Sequence, residues 1–283
     1  MKFLDSKTHL PEQRLEVILG LPECTAYEGK THFNSRTTLD SLYMLILKTA
    51  FEEEDPEVDS KVRSIVGTII LLFNPLPPPG IAELIGVDPK EVAIFTTLLQ
   101  LLLTFGEDSS QSVKPFHKSF PDFITNHSRC TDARFWISPE NLHLEVVVNC
   151  LRVINSGLEQ NLLSLPDYAL NLEVEDLDMR IRHRISDALE YACRSWHNHL
   201  TRTGSGNVDV ICHLQIFLEE KFLAWLEVVS VLGVMRGAVS ALEQVILWLQ
   251  EVWFRLFSEF SAANGSDGSG ICVTFADSEG IRM

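Results

Sequence analysis

The sequence predicts a mainly α-helical protein in which a helix-turn-helix with a small β-hairpin is followed by an all-α helical bundle or solenoid. Three observations carry this expectation. Apolar residues recur at helical spacing between residues 37 and 73 and again between 139 and 260. Ile81 to Gly86, the pair Val87-Asp88, and Pro89 to about Leu103 read as short helix, tight turn and longer helix. Immediately afterwards, Leu101–Phe105, the polar run Gly106-Glu107-Asp108-Ser109-Ser110, and Val113–Phe116 read as strand, turn and strand.

Residues 1–36 show no sustained period and read as a linker or the remnant of a preceding domain. Thr37, with Asp40 three residues on, resembles a helix N-terminal box, and Leu39, Leu42, Tyr43, Ile46, Leu47 and Ala50 then hold one face. After the acidic turn Glu52-Glu53-Glu54-Asp55-Pro56, a second face runs through Val58, Val62, Ile65, Val66, Ile69, Ile70 and Phe73 until the proline cluster ends it. Ala82 is small enough for a close helix crossing, and Gly86 suits a helix C-terminus that needs positive φ. A hairpin directly after a helix-turn-helix makes a winged helix, and residues 37–135 are assigned to that domain. Ser119 is expected to cap the next helix, with Pro121 in its first turn and Phe120, Phe123 and Ile124 facing inward.

Residues 136–260 are expected to form a helical domain. One stripe holds Leu142, Val146, Asn149, Val153 and Ile154; another holds Leu177, Ile181, Ile185, Leu189, Ala192 and Trp196; a third holds Leu218, Phe222, Trp225, Leu226 and Val229. The last, Val239, Leu242, Ile246, Leu249, Trp253, Leu256 and Phe260, alternates three- and four-residue steps as a coiled-coil seam does. Val245, Val252 and Phe257 widen it beyond two rows, which favours packing within the bundle. Residues 261–283 read as a flexible Gly/Ser tail, with a stray strand at Ile271–Phe275.

The chain has 283 residues, 46% of them hydrophobic, and a net charge of -16, so it can bury a sizeable core and is poorly suited to general binding of phosphate backbones or anionic membranes. Six cysteines without paired spacing read as reduced, mostly buried thiols. An acid at position 5 interrupts any secretory signal, and charges or prolines interrupt every long apolar run, so the expected location is cytoplasmic.

Few motifs carry chemistry. Gly29-Lys30-Thr31 mimics the end of a phosphate-binding loop, but Cys24 stands where the loop needs glycine, Glu28 adds negative charge, and no apolar helix follows. Across residues 80–128 six acids outweigh three lysines, and the presumed recognition helix offers only Lys90 and Gln100, which argues against reading DNA. Cys193 and His197 share a helical face near His199, Cys212 and His213, yet no second spaced pair completes a four-ligand zinc set. Signatures of the HExxH and GxSxG kinds are absent.

The most specific stretch is Lys114-Pro115-Phe116-His117-Lys118-Ser119-Phe120-Pro121-Asp122-Phe123-Ile124. A histidine between a strand and a helix can aim its ring at a ligand held by a neighbouring domain, or bond within the hairpin. The stretch resembles the His-x-Ser-Phe-x-x-Phe signature in the winged helix of NACHT-type STAND ATPases, the switch proteins that include NOD-like receptors. Thr38-Leu39-Asp40-Ser41-Leu42-Tyr43, Phe73-Asn74-Pro75-Leu76, Ile81-Ala82-Glu83-Leu84-Ile85-Gly86, Ser128-Arg129-Cys130-Thr131 and Tyr191-Ala192-Cys193-Arg194-Ser195-Trp196 are similar, in order, to the region after the ATPase core in mushroom-type fungal members. The resemblance covers about residues 1 to 260. It implies that His117 contacts the β-phosphate of ADP held by an ATPase core and helps keep the switch closed. The family's phosphate-binding loop and magnesium-binding strand would lie upstream of residue 1, so the expectation is a non-catalytic regulatory module, a truncated paralogue or a fragment. It would have no cofactor of its own, with ADP or ATP only through a partner NACHT-type core in cis or trans. Its other partners would be proteins meeting its helical surfaces, with no nucleic acid and no membrane. The alternatives are a winged-helix DNA-binding regulator and a plain helical scaffold.

Overall fold

In the computed structural model, residues 35–104, 111–166, 171–203 and 207–263 are described, and over them the chain is mainly α-helical with one two-stranded antiparallel sheet. Gly29-Lys30-Thr31, the hairpin turn at 106–110 and the strand expected at Ile271–Phe275 lie outside these residues.

Helix α1 (Ser35–Ala50) begins two residues before Thr37, so Thr37 lies in its first turn and does not precede it. Asp40 is engaged by Arg129 instead, at 2.6 and 3.0 Å. Helix α2 (Pro56–Leu71) starts as its sequence dictates: the Asp55 side chain accepts the Glu57 N–H, and Pro56 occupies a position whose N–H has no helical partner. Its inward face holds Val62, Ile65, Val66 and Ile69.

Two short helices follow, α3 (Pro78–Ile85) and α4 (Pro89–Leu98), joined by Gly86 at φ 74° and by Asp88, whose carboxylate caps α4 through the Lys90 N–H at 2.8 Å. Gly86 needs this freedom, and Arg152 seals the helix end by donating to the Leu84 carbonyl at 2.8 Å. Gly86→Ala should cost about 1 kcal/mol, read as a lower urea midpoint at constant m-value. Helix α4 stops at Leu98, short of the expected Leu103, and its last turn gives way to the hairpin of β1 (Leu103–Thr104) and β2 (Lys114–Pro115), with Leu103 opposite Pro115. Both strands are shorter than the sequence pattern suggested. Helix α5 (Ser119–Ile124) buries Phe120, Phe123 and Ile124 as expected.

The later helices are α6 (Pro139–Gly157), α7 (Leu177–Arg184), α8 (Asp187–Leu200), α9 (Val208–Ile216), α10 (Phe222–Val231) and α11 (Met235–Ala263). Helix α6 packs along α8 and also meets α2, α3 and α9, and one continuous cluster of buried residues runs from Tyr43 to Val252. Ala82 is fully buried in it. Among the described residues no helix is long and apolar enough to cross a membrane.

Three expectations are corrected. The stripe from Leu177 to Trp196 is two helices, because Ser186 turns to extended backbone and caps α8 through the Leu189 N–H. A π turn at Phe217–Lys221 separates α9 from α10 and shifts the register, so Phe217 is buried while Leu218 is exposed. In α11 the buried row is Ala238, Ala241, Val245, Trp248 and Val252, beside the row expected to face the core.

Candidate functional site

His117 stands on an exposed shoulder between β2 and α5. Tyr43, buried in α1 against Phe120 and Phe123 with ring centroids 5.4 and 5.5 Å away, brings its hydroxyl within 2.6 Å of Ser119 Oγ. Ser119 Oγ lies 2.7 Å from His117 Nδ1, and the Ser119 N–H donates to the same nitrogen at 3.2 Å. Nδ1 is therefore an acceptor, and the neutral ring carries its proton on Nε2. The hydroxyls line up as Tyr43 O–H to Ser119 Oγ, then Ser119 O–H to Nδ1. Ser119 is the first residue of α5 and not its cap; Lys118 holds the cap position without a side-chain bond, and His117 Nδ1 takes up the otherwise unpaired Ser119 N–H. The result is an imidazole held at one nitrogen, with an N–H donor at the other.

The surroundings are built from ion pairs and apolar surface. Arg129, held by both carboxylate oxygens of Asp40, borders a shallow cleft of about 630 Å³ with Asp122, Thr125, Asn126 and His127. The Asp40 carboxylate raises the Arg129 guanidinium above its ordinary value, so this charge is permanent. On α4 the outward residues include Ile94 and Leu98, and Leu101 after the helix and Phe116 of the hairpin are exposed too.

A second cluster escaped sequence reading. Tyr191 O accepts the Phe73 N–H at 3.3 Å and also bonds Ser195, so it donates to His199 Nε2 at 2.6 Å. His199 Nδ1 then donates to His143 Nδ1 at 2.8 Å. The Phe73 ring lies 4.7 Å from the His199 ring, and the Arg202 guanidinium sits over the Phe73 ring, 4.5 Å from its centroid. This chain ties α6, α8 and the segment after α2. Burial, with Arg202 nearby, lowers His143 to about 4; burial, then His143, Arg202 and His197, lowers His199 to about 3. The available signal was positional: His143 precedes Val146, Val147 and Cys150 on the buried side of α6, and His199 follows Trp196 on that of α8.

The loose Cys/His group does not converge. His199 is committed to Tyr191 and His143, Cys193 is buried with its thiol raised by desolvation, and Cys212 is exposed. Among the described residues no three His, Cys, Asp or Glu side chains are grouped to hold a metal ion. Comparison with protein-family models, with curated proteins and with solved structures finds no match to this chain.

Proposed function

We propose that this chain is the non-catalytic regulatory arm of a NACHT-type STAND switch, a cytoplasmic protein in which a winged helix (37–135) and a helical domain (136–260) close over a nucleotide-bound ATPase core supplied in cis or in trans. The observation that carries the reading is His117: its ring is fixed through Nδ1 by Ser119 and Tyr43, leaving Nε2–H as a donor on the surface. Such a donor fits a phosphate oxygen, and its residues are those of the family signature. Two further features support docking on protein. The outward side of α4, the helix a DNA reader would place in the groove, presents Ile94 and Leu98 in place of a row of basic residues. Phe116, next to His117, is likewise apolar and 73% exposed.

In this mechanism the core holds most of the nucleotide, and the arm contributes one hydrogen bond to the ADP state. An arm that binds the ADP form better than the ATP form shifts the switch towards closure by its difference in affinity, and ATP loading releases it. One hydrogen bond to a charged group is worth about 1.5–3 kcal/mol, or roughly 10- to 100-fold.

The test joins the chain to a NACHT-type ATPase core and follows release of fluorescent ADP. His117→Ala should speed release roughly 10-fold or more, and Ser119→Ala should speed it less by freeing the ring. Equal release from wild type and His117→Ala would remove the nucleotide role and leave the plain scaffold.

A further inference from the structure

Residues 160–166, between α6 and α7, face α10 across a cavity of about 500 Å³, within the range of small-ligand sites. Leu162, Leu165, Val228 and Val231 supply its apolar wall, and Glu227 and Asn171 are among its polar groups. The segment is held in its shape against local preference. Asn161 and Ser164 both sit at φ 51°, in the left-handed region that residues other than glycine seldom adopt. The Asn161 side chain bonds the N–H and the carbonyl of Leu165, at 2.7 and 3.1 Å. From α7, Arg180 donates to the carbonyls of Leu163 and Ser164, and Arg184 to that of Leu162. Backbone fixed in this region by its surroundings gathers at ligand sites.

Glu227 decides what the cavity takes. One carboxylate oxygen accepts the Asn161 N–H at 2.8 Å, which fixes the group at the wall and leaves the other oxygen as an acceptor. None of the ion pairs among the described residues includes Glu227. Arg180 and Arg184, which reach the same segment, are directed at its carbonyls, and Arg180 also pairs with Asp176. Asn171, tied to the Ser230 carbonyl through Nδ2, adds an acceptor oxygen.

We propose that this cavity binds an organic cation, a protonated amine that pairs with Glu227 and lays a short alkyl body along the apolar wall. An anion would be repelled by Glu227. A metal ion would find one carboxylate, since no three His, Cys, Asp or Glu side chains are grouped among the described residues. Two sources share this chemistry, a free alkylamine and the lysine side chain of a protein, and the test separates them. The site is independent of the nucleotide reading at His117.

Amide NMR of the full chain, titrated with hexylamine at neutral pH, tests this. Saturable shifts centred on residues 160–166 and 227–231 are expected, with hexanol weaker and hexanoate weaker still. Glu227→Gln keeps an acceptor for the Asn161 N–H and removes the charge, and should weaken hexylamine roughly 5-fold or more. Glu220→Gln, which removes the same charge from the exposed side of the π turn, should leave it unchanged. A terminally blocked peptide with one central lysine that binds there more tightly than hexylamine assigns the site to a protein partner, and weaker binding assigns it to a free amine. No shift at these residues with hexylamine, hexanoate bound as well as hexylamine, or an unchanged affinity in Glu227→Gln would each overturn the proposal.

Discussion

Between pH 7 and pH 5 the folded state should lose about 3 kcal/mol of stability through the His143–His199 pair. Both rings are buried and held neutral in one hydrogen-bonded chain, so their folded-state values lie near 4 and 3, against 6.5 for a free imidazole. The unfolded chain therefore binds more protons than the folded chain once pH falls below about 6.5. The stabilisation is complete above that point and is lost progressively towards pH 3 to 4. His197, half-buried, is lowered by the same cause and acts in the same direction. Most carboxylates titrate below pH 5, which makes the window from 7 to 5 chiefly a histidine window. Urea midpoints at pH 7, 6 and 5 check this, and His143→Gln should flatten the slope by roughly half. A midpoint constant from pH 7 to 5 would contradict it.

Trp225→Ala should cost about 4 kcal/mol, among the largest effects of any single substitution here. Trp225 packs against Trp196, Phe217 and Phe222, with ring centroids 5.6 to 6.3 Å away, and joins α10 to α8 and the π turn. Its indole N–H donates to the Cys193 carbonyl at 3.0 Å. The neighbouring Trp196 is equally enclosed, but its Nε1 has no protein partner. Phenylalanine substitution separates packing from hydrogen bonding. Trp225→Phe removes the indole bond to the Cys193 carbonyl, whereas Trp196→Phe removes a buried donor without a partner, so the first should be the more destabilising by about 1 kcal/mol. Paired urea titrations of the two variants measure the difference, and equal losses would mean that the bond to Cys193 contributes nothing.

The same residues show where sequence reading worked. Asp55-Pro56, Gly86 and Asp88-Pro89 carry backbone requirements in their own chemistry, so the starts of α2 and α4 and the end of α3 were legible to within a residue or two, whereas α3 begins at Pro78, three residues before the expected Ile81. The break at Ser186 was also present in the sequence, as basic Arg182-His183-Arg184 followed by acidic Asp187 and Glu190, but the apolar stripe ran straight across it. The π turn had no such mark, and one extra residue in the turn exchanged Phe217 for Leu218 at the core. On α11, two apolar rows competed for one docking surface. Periodicity named the row through Val239 and Ile246 and, of the buried row, only Val245 and Val252 as its flank; the small Ala238 and Ala241, which allow close approach to neighbouring helices, favour the buried one. At the candidate site, the sequence located His117 but misassigned Ser119, because a serine before a helix is usually its cap. Tyr43, 76 residues from Ser119, supplies the missing partner.

The central proposal is that the arm favours an ADP-bound core. Isothermal titration of this chain against a NACHT-type ATPase core, loaded with ADP or with a non-hydrolysable ATP analogue, tests it most directly. The expected result is binding roughly 10-fold or more tighter to the ADP form, with His117→Ala bringing the two affinities together. Equal affinity for both forms, or a preference that His117→Ala leaves unchanged, would contradict the account.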